Sequence, residues 1–241
     1  MKGITVEGIV AVLKRCRVPE IMDDPNLDEN LHIEALAGLA NLNSLSGSAA
    51  ILWKEIERES ADEPLSILDI ATGSGDIPLA LWRRSKTSKK ELKISGCDIS
   101  RRSVELANSA AQKLNADVNF FQMNALDGSI PSGFDVIVSS LFCHHLSDDE
   151  VVSLLKNMAQ SAKRLVLVND LERSPVNLGL VWLGSRILSR SPVVHFDGPA
   201  SVRAAFRVDE IKDLAERAGL AGASVTHRFP SRFLLSWRKE D

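Results

Sequence analysis

Several residue types that mark common protein classes are scarce or absent. The 241-residue chain has no tyrosine, 5% aromatic residues and only three cysteines. Cys16, Cys97 and Cys143 are widely spaced and form no C-x-x-C pair, which argues against a disulfide framework and a structural zinc site. The sequence therefore predicts a protein of the reducing cytoplasm.

A strong charge of one sign and a long apolar run are also missing. The formal net charge is −3, which leaves no overall electrostatic footprint of a nucleic-acid binder. The apolar segment 9–13 is interrupted by Lys14 and Arg15 and is too short for a secretion signal or a membrane span. We expect no nucleic-acid partner and no stable membrane insertion.

Apolar strands alternate with helical patterns beyond residue 65, which predicts a parallel sheet with helices on both faces. The predicted strands are 65–70, 92–97, 118–122, 134–139 and 164–169, followed by a closing antiparallel pair at the sheet edge, 222–229 and 232–237. The predicted helices are 77–84, 103–114, 148–161 and 208–218, with one or two more over 31–56.

The chain is divided into an N-terminal helical cap, 1–60, and one α/β domain, 61–241. The domain contains a less regular insertion at about 171–206, which we interpret as a lid or part of a substrate site. The insertion has an apolar face with helical spacing, for which core packing is the default prediction and a wall for a hydrophobic acceptor the alternative: Leu178, Val181, Trp182, Leu183, Ile187 and Leu188.

The stretch "LDIATGSGD" joins the first strand to the first helix. Gly73 and Gly75 permit positive φ and close approach of a ligand, and the helix N-terminus offers free N–H groups to an anionic group. Asp69 precedes this loop, and Asp98 ends the second strand, where a carboxylate can accept hydrogen bonds from both ribose hydroxyls. The alternative for Asp98 is capping of the next helix, a role for which Ser100 competes.

Two residues of this turn argue against a dinucleotide. Pro78 occupies the position of the third glycine in G-x-G-x-x-G. Asp76 places a negative charge where a pyrophosphate would approach, which is unfavourable for that ligand but acceptable for one with an ammonium or sulfonium group. The turn therefore predicts an adenosine ligand with an amino-acid tail.

Four motifs occur in order: "LDIATGSGD", "GCDIS", "QMNALDG" and "FDVIVSSLFCHHL". With them the sequence resembles the class I S-adenosylmethionine-dependent methyltransferases over roughly 65–170 and 207–238, and within these a bacterial small-molecule branch of polyketide-associated or quinone type. The resemblance implies a Rossmann-like α/β fold with a seven-stranded, mostly parallel sheet, helices on both faces and an antiparallel last strand.

The resemblance also implies a set of cofactor-binding residues. The backbone of Ala71 to Gly75 would hold the methionine moiety, and Asp98 the ribose. Ala71 and Thr72 stand where glycine and cysteine are more frequent, a change that keeps the loop small. The remaining cofactor-binding residues, including those implied on the adenine side, are Asp69, Asp76, Ile99, Asn124, Ala125 and Ser140.

Histidines that follow the fourth strand are candidates for a general base. Of His144 and His145 at most one would serve, since adjacent loop residues seldom both point inward, and the alternative is that they cap the helix near Asp148 and pack structurally. His195 is a third candidate, with Asp197 beside it, against a simple turn through Asp197 and Gly198. No metal site is predicted.

These features predict an S-adenosylmethionine-dependent methyltransferase that forms S-adenosylhomocysteine. The expected acceptor is small and hydrophobic, a hydroxylated aromatic, polyketide or quinone-like compound, with O-methylation favoured. The alternatives are a nicotinamide-dependent oxidoreductase and a cofactor-binding module without chemistry. A homo-oligomer is compatible with the sequence.

Overall fold

A computed structural model describes residues 14–23, 26–28, 30–31, 34–35, 38, 47–59, 63–128 and 130–239. Within them lie seven strands: β1 Leu65–Ile70, β2 Leu92–Asp98, β3 Val118–Gln122, β4 Val136–Ser140, β5 Leu165–Leu171, β6 Ser224–Arg228 and β7 Arg232–Arg238. The α-helices of this part of the chain are α1 Ser48–Glu59, α2 Asp76–Ser88, α3 Arg101–Lys113, α4 Asp148–Ser161, α5 Pro175–Leu188, α6 Pro192–Ala204 and α7 Val208–Arg217.

All seven strands form one sheet in the order β3-β2-β1-β4-β5-β7-β6. Strands β1 to β5 are parallel, and β7 is antiparallel to both β5 and β6. The order of parallel strands reverses between β1 and β4, which is where doubly wound sheets bind ligands. The predicted fold class is confirmed. Of the closing pair, β7 is inserted beside β5, so only β6 forms that edge of the sheet.

The two faces of the sheet carry separate apolar cores, because the residues of a strand point alternately to opposite faces. Leu68 and Ile70 pack with α4 and α7 on one face. Leu65 and Ile67 pack on the other face with α1, where Leu52 is fully buried. Helix α1 precedes residue 60 and packs directly on the sheet that follows it. The apolar core therefore extends across the predicted domain boundary. The division at that residue remains a prediction, and most of 31–46 lies outside the described residues.

The starts of α2 and α3 lie one and two residues before the predicted ones, whereas α4 and α7 begin at the predicted residues. The Ser100 side chain accepts a hydrogen bond from Ser103 N and begins α3 at Arg101. Ser147 and Glu150 form a capping box at α4, so the alternative that the preceding histidines cap this helix is wrong. Strand β5 extends two residues beyond the prediction, to Leu171, because Asp170 and Leu171 still pair with β7.

The prediction of a less regular segment at 171–206 is wrong, because α5 and α6 occupy most of it. Each helix begins with a proline at its first turn, after Ser174 and Ser191. The glycines and prolines that indicated a loop are accommodated inside the helices. Gly198 allows close packing, since a Cβ there would lie 3.0 Å from Val181 Cγ1.

Core packing of the apolar face of this segment is confirmed for Leu178, which is buried, and for Val181, which is partly buried and packs against the same cluster. The side chains of Trp182, Leu183, Ile187 and Leu188 are exposed, so core packing as their default prediction is wrong.

We predict opposite effects for two Gly→Ala substitutions. In β2, a Cβ at Gly96 would lie 2.8 Å from both the Phe120 ring and Thr72 Oγ1, so Gly96→Ala should lower the free energy of unfolding by about 1–3 kcal/mol. Gly179 lies inside α5 with open space around it, so Gly179→Ala should raise it by roughly 0.5–1 kcal/mol. Urea unfolding of both variants checks this, and equal effects would contradict the packing described for Gly96.

Candidate functional site

The carboxyl ends of the parallel strands bring polar side chains together at one edge of the sheet. Asp69 is next to last in β1, Asp98 ends β2, Ser140 ends β4 and Asp170 is next to last in β5. Parallel register places these ends side by side, with Ser140 opposite Asn169. This edge also holds the glycine loop and is the candidate functional site.

Hydrogen bonds to the Asp98 side chain fix the glycine loop at the end of β2. Gly73 and Gly75 have φ of 56° and 85°. Asp98 Oδ2 accepts from Gly73 N at 2.8 Å and Oδ1 from Ser100 N at 2.9 Å, so Asp98 ties the loop to the start of α3 while Ser100 caps that helix. Ala71 has φ of 56°, a left-handed conformation that costs a non-glycine residue about 1–2 kcal/mol.

Asp69 is buried below this loop with one carboxylate oxygen in use. Its Oδ2 accepts from Thr72 Oγ1 at 2.7 Å, and its Oδ1 has no hydrogen-bond partner among the described residues. Burial, together with the nearby Asp98 and Asp76, raises the pKa of Asp69 to about 7. Burial also raises the pKa of Asp76. An ammonium group at Asp69 Oδ1 would satisfy this oxygen and favour the charged carboxylate.

The residues expected on the adenine side lie beside the ends of β2 and β3. Ile99 is 64% exposed, an unusual exposure for a large apolar side chain and one suited to packing on a flat ring. Asn124 Oδ1 accepts from Leu126 N at 3.0 Å, and Ala125 is buried. Ser140 accepts from Asn169 Nδ2 at 3.1 Å. These positions fit the adenosyl ligand implied by the sequence, and the individual roles stay predictions.

A buried pair, Asp170 and His144, lies at the carboxyl ends of β5 and β4 along the same edge. His144 is in a 3-10 turn, Cys143–His145, after β4, and its Nδ1 lies 2.7 Å from Asp170 Oδ1. The backbone N–H of His144 donates to Asp170 Oδ2 at 3.2 Å. Asp170 thus fixes both the ring and the backbone of His144. The pairing was not predicted, because the two residues are 26 positions apart in sequence.

The ring of His144 lies between two carboxylates. Its Nε2 is 3.9 Å from Glu20 Oε1, and Glu20 in turn accepts a short hydrogen bond from Ser201 Oγ. Desolvation lowers the pKa of His144, but Asp170 and Glu20 outweigh it, so the net shift is upward. The two carboxylates therefore favour the protonated form of His144.

His145 has the opposite character. Its ring stacks on that of His144, with centroids 4.2 Å apart and planes 35° from parallel, and the residue is exposed. Desolvation of the covered part of the ring and the positive charge of His144 lower the pKa of His145. The pKa of His145 falls to about 3, so the ring is neutral at physiological pH and is by itself a weak base.

Ligand atoms of Glu20, His144 and His145 all lie within 4.8 Å of one another. Because the two rings stack, their in-plane lone pairs do not converge on one point, and joint ligation of an ion would need one ring to rotate.

Residues 15–22 contact the histidine turn after β4 and helix α6. The sequence did not predict these contacts. Arg15 donates to the carbonyls of Leu146 at 2.6 Å and His144 at 3.2 Å, and its guanidinium lies 3.6 Å above the Phe206 ring. No local sequence pattern indicates such distant pairings, which bring Glu20 and Arg15 to the turn after β4.

His195 and Asp197 lie inside α6, so the predicted turn through Asp197 and Gly198 is wrong. Asp197 is buried and accepts from the backbone N–H groups of Ile21 and Met22. His195 Nε2 lies 2.9 Å from the Ser189 carbonyl, a contact within the α5–α6 connection. A catalytic role for His195 remains a prediction.

With the fold and site in view, the chain can be compared with known proteins. Residues 67–164 match the family model described as "Methyltransferase domain". The chain is 33% identical over 97 residues to a release factor glutamine methyltransferase of Bacillus subtilis, which covers 39% of this chain and 32% of that protein. It is 29% identical over 115 residues to a ribosomal protein L11 methyltransferase of Dictyoglomus thermophilum, covering 46% and 36%. The chain spans about a third of the length of these curated relatives.

Solved structures resemble the chain over most of its length. The plantazolicin methyltransferase BpumL, in complex with S-adenosylhomocysteine, has a TM-score of 0.64 at 18% identity and covers 91% of this chain and 92% of that one. Magnesium protoporphyrin IX methyltransferase from Synechocystis PCC 6803 has a TM-score of 0.59 at 14% identity, covering 91% of each chain. At this identity the likeness establishes the fold, which is the Rossmann-like fold of the class I methyltransferases.

The raised pKa of Asp69 gives a prediction on stability. Between its unfolded pKa near 4 and its folded value of about 7, the folded state holds a proton that the unfolded state has released. This group therefore makes the free energy of unfolding fall as pH rises across that window, by up to about 4 kcal/mol. Asp69→Asn should remove this fall. Chemical unfolding at pH 5 and pH 8 measures it, and the same slope in the variant and the parent would contradict it.

Proposed function

We propose that the protein is an S-adenosylmethionine-dependent methyltransferase that acts on a hydroxyl group of a small, hydrophobic acceptor. The observation that carries the proposal is the buried, half-satisfied carboxylate of Asp69 below a positive-φ glycine loop. A ligand with an ammonium group satisfies such a carboxylate, whereas a pyrophosphate would be repelled by it. The same charge argues against the nicotinamide-dependent alternative.

The cofactor half of the site is assigned to the ends of β1, β2 and β3. Asp69 would hold the amino group of the methionine moiety, Asp98 the ribose hydroxyls, and Ile99 with the segment at Asn124 the adenine. When bound, S-adenosylmethionine supplies a methyl group activated by its attachment to a sulfonium. The chain itself binds and orients the two reactants and excludes water.

The acceptor half is assigned to the histidine turn after β4. His145 is the exposed, neutral ring of the pair. Its lowered pKa makes it a weak base on its own, so we assign it as the general base acting together with Glu20, whose carboxylate lies within 4.8 Å and would stabilise the charged ring. The hydroxyl proton of the acceptor would go to a ring nitrogen of His145 as the acceptor oxygen takes up the methyl group that bound S-adenosylmethionine would supply. Glu20 and the His144–Asp170 pair position this ring, with Glu20 close enough to stabilise its charged form.

The known proteins support methyl transfer but differ in their acceptors. The curated relatives are named for release factor glutamine and for a ribosomal protein, while the structural neighbours that span the chain are named for plantazolicin and magnesium protoporphyrin IX. The small-molecule assignment is supported by the full-length match to the second group and by the acid–base pair at the acceptor side. A glutamine peptide belongs in the acceptor panel as the competing substrate.

Cofactor binding tests the first half of the proposal. S-Adenosylhomocysteine at about 100 times its dissociation constant should stabilise the protein by roughly 2.7 kcal/mol, whereas NADH should produce no shift. Asp98→Asn should weaken binding about 10- to 100-fold, because hydrogen bonds to a charged group are lost. Asp117→Asn, an exposed residue before β3, is the matched control. Calorimetry and thermal unfolding measure both, and undiminished affinity in Asp98→Asn would sink the ribose assignment.

The base assignment is tested by turnover of a phenol or enol acceptor found by screening with labelled cofactor. His145→Ala should lower kcat about 100- to 10,000-fold while leaving the affinity for S-adenosylhomocysteine unchanged. His195→Ala and His227→Ala, the latter on the edge strand β6, should retain activity near the parent level. A full loss in His195→Ala with activity kept in His145→Ala would transfer the role to His195. Methylation of a glutamine peptide but of no phenol would reject the acceptor class.

A further inference from the structure

The outer face of α5 carries a stripe of exposed apolar side chains. Val176, Leu180, Leu183 and Ile187 are 69%, 50%, 51% and 70% exposed, and their spacing of four, three and four residues places them on one side of the helix. The opposite side of α5 is packed, with Leu178 buried against α6. The stripe is therefore a second apolar face that the fold does not use.

The tip of the β6–β7 hairpin adds an aromatic side chain to this face. Phe229 is 91% exposed. Asn177 Nδ2 donates to the Ser231 carbonyl at 3.1 Å, which places the hairpin tip beside the first turn of α5, where Val176 lies. We call Val176, Leu180, Leu183, Ile187 and Phe229 the apolar ridge.

The charge beside the apolar ridge is positive, although the whole chain carries a formal net charge of −3. Between Arg173 and Arg207 the sequence holds a single acidic residue, Asp197, which is buried. Arg186 lies 4.2 Å from the centroid of the half-exposed Trp182 ring, and Arg190 follows the end of α5. Two arginines thus lie near the apolar ridge, one on the side of α5 and one after its end.

We propose that the apolar ridge docks the protein on an anionic lipid bilayer. Protruding apolar side chains flanked by arginines are typical of helices that lie in a membrane interface, and arginines are attracted to anionic headgroups. A second copy of the chain is a poorer occupant, because a two-fold contact buries the same ridge on both copies and residues 174–206 offer Arg186 and Arg190 no exposed carboxylate. No helix of the described residues is long and apolar enough to cross a membrane, so the docking is peripheral.

The position of the ridge relates it to the candidate site. Helix α5 begins four residues after β5 ends at Leu171, so it lies at the carboxyl edge of the sheet, where the acceptor half of the site is found. Docking would present that edge to compounds dissolved in the bilayer. The inference stands on the surface alone and does not require methyl transfer.

Cosedimentation of the full chain with vesicles tests the proposal. Vesicles of phosphatidylcholine with about a third of phosphatidylglycerol should bind the protein, and pure phosphatidylcholine should bind it much less. Leu183→Gln/Ile187→Gln should weaken binding at least about tenfold. Arg186→Gln and Arg190→Gln should each weaken it about fivefold and reduce its salt dependence.

The control is Leu106→Gln, which removes an exposed apolar side chain from α3 and should leave binding unchanged. Unchanged thermal midpoints establish that the ridge variants are folded. Absence of binding to anionic vesicles, or equal binding by the parent and the Leu183→Gln/Ile187→Gln variant, would overturn the proposal. A third outcome would also overturn it: the parent is a dimer in sedimentation velocity and does not bind vesicles, and the double variant is a monomer. The ridge would then be a contact between copies.

Discussion

The burial of two carboxylates at one edge of the sheet is the constraint on which the site depends. A buried carboxylate needs a partner that favours its charge or it must take up a proton. Asp170 has such a partner in His144, and its pKa is lowered. Among the described residues Asp69 has only the Thr72 hydroxyl as a hydrogen-bond partner, and its pKa rises to about 7. The two residues are similarly buried, so the difference in pKa comes from the charged groups around them.

The same contrast separates the halves of the site. The glycine loop, β1 and β2 lie close together in sequence and form the half that we propose binds the cofactor. The acceptor half is assembled from distant segments, with His144 after β4, Asp170 on β5 and Glu20 from the segment ahead of α1. Ser201 on α6 holds Glu20 in place.

Local patterns were sufficient to predict the first half. The run from Leu65 to Ile70, the turn glycines and Asp98 all lie within one strand–helix–strand unit, so spacing along the chain determines their geometry. The second half depends on contacts across many residues, which leave no periodic signal. Arg15 could not be placed on the turn after β4, and no local signal indicated that Asp170 pairs with His144. The less regular pattern of 171–206 comes from prolines at helix starts and from a glycine used for close helix packing.

The insertion of β7 between β5 and β6 has a consequence for the order in which the protein folds. Strands β5 and β7 are separated by residues 172–231, so their pairing requires closure of a long loop before any of its contacts form. Arg232, at the start of β7, is one of the charges that face Asp170. The charges around Asp170 are therefore all in place only when β5 and β7 have paired. The glycine loop, in contrast, can form from neighbouring segments. Amide exchange of β7 consequently reports the integrity of the acceptor half more directly than that of the cofactor half.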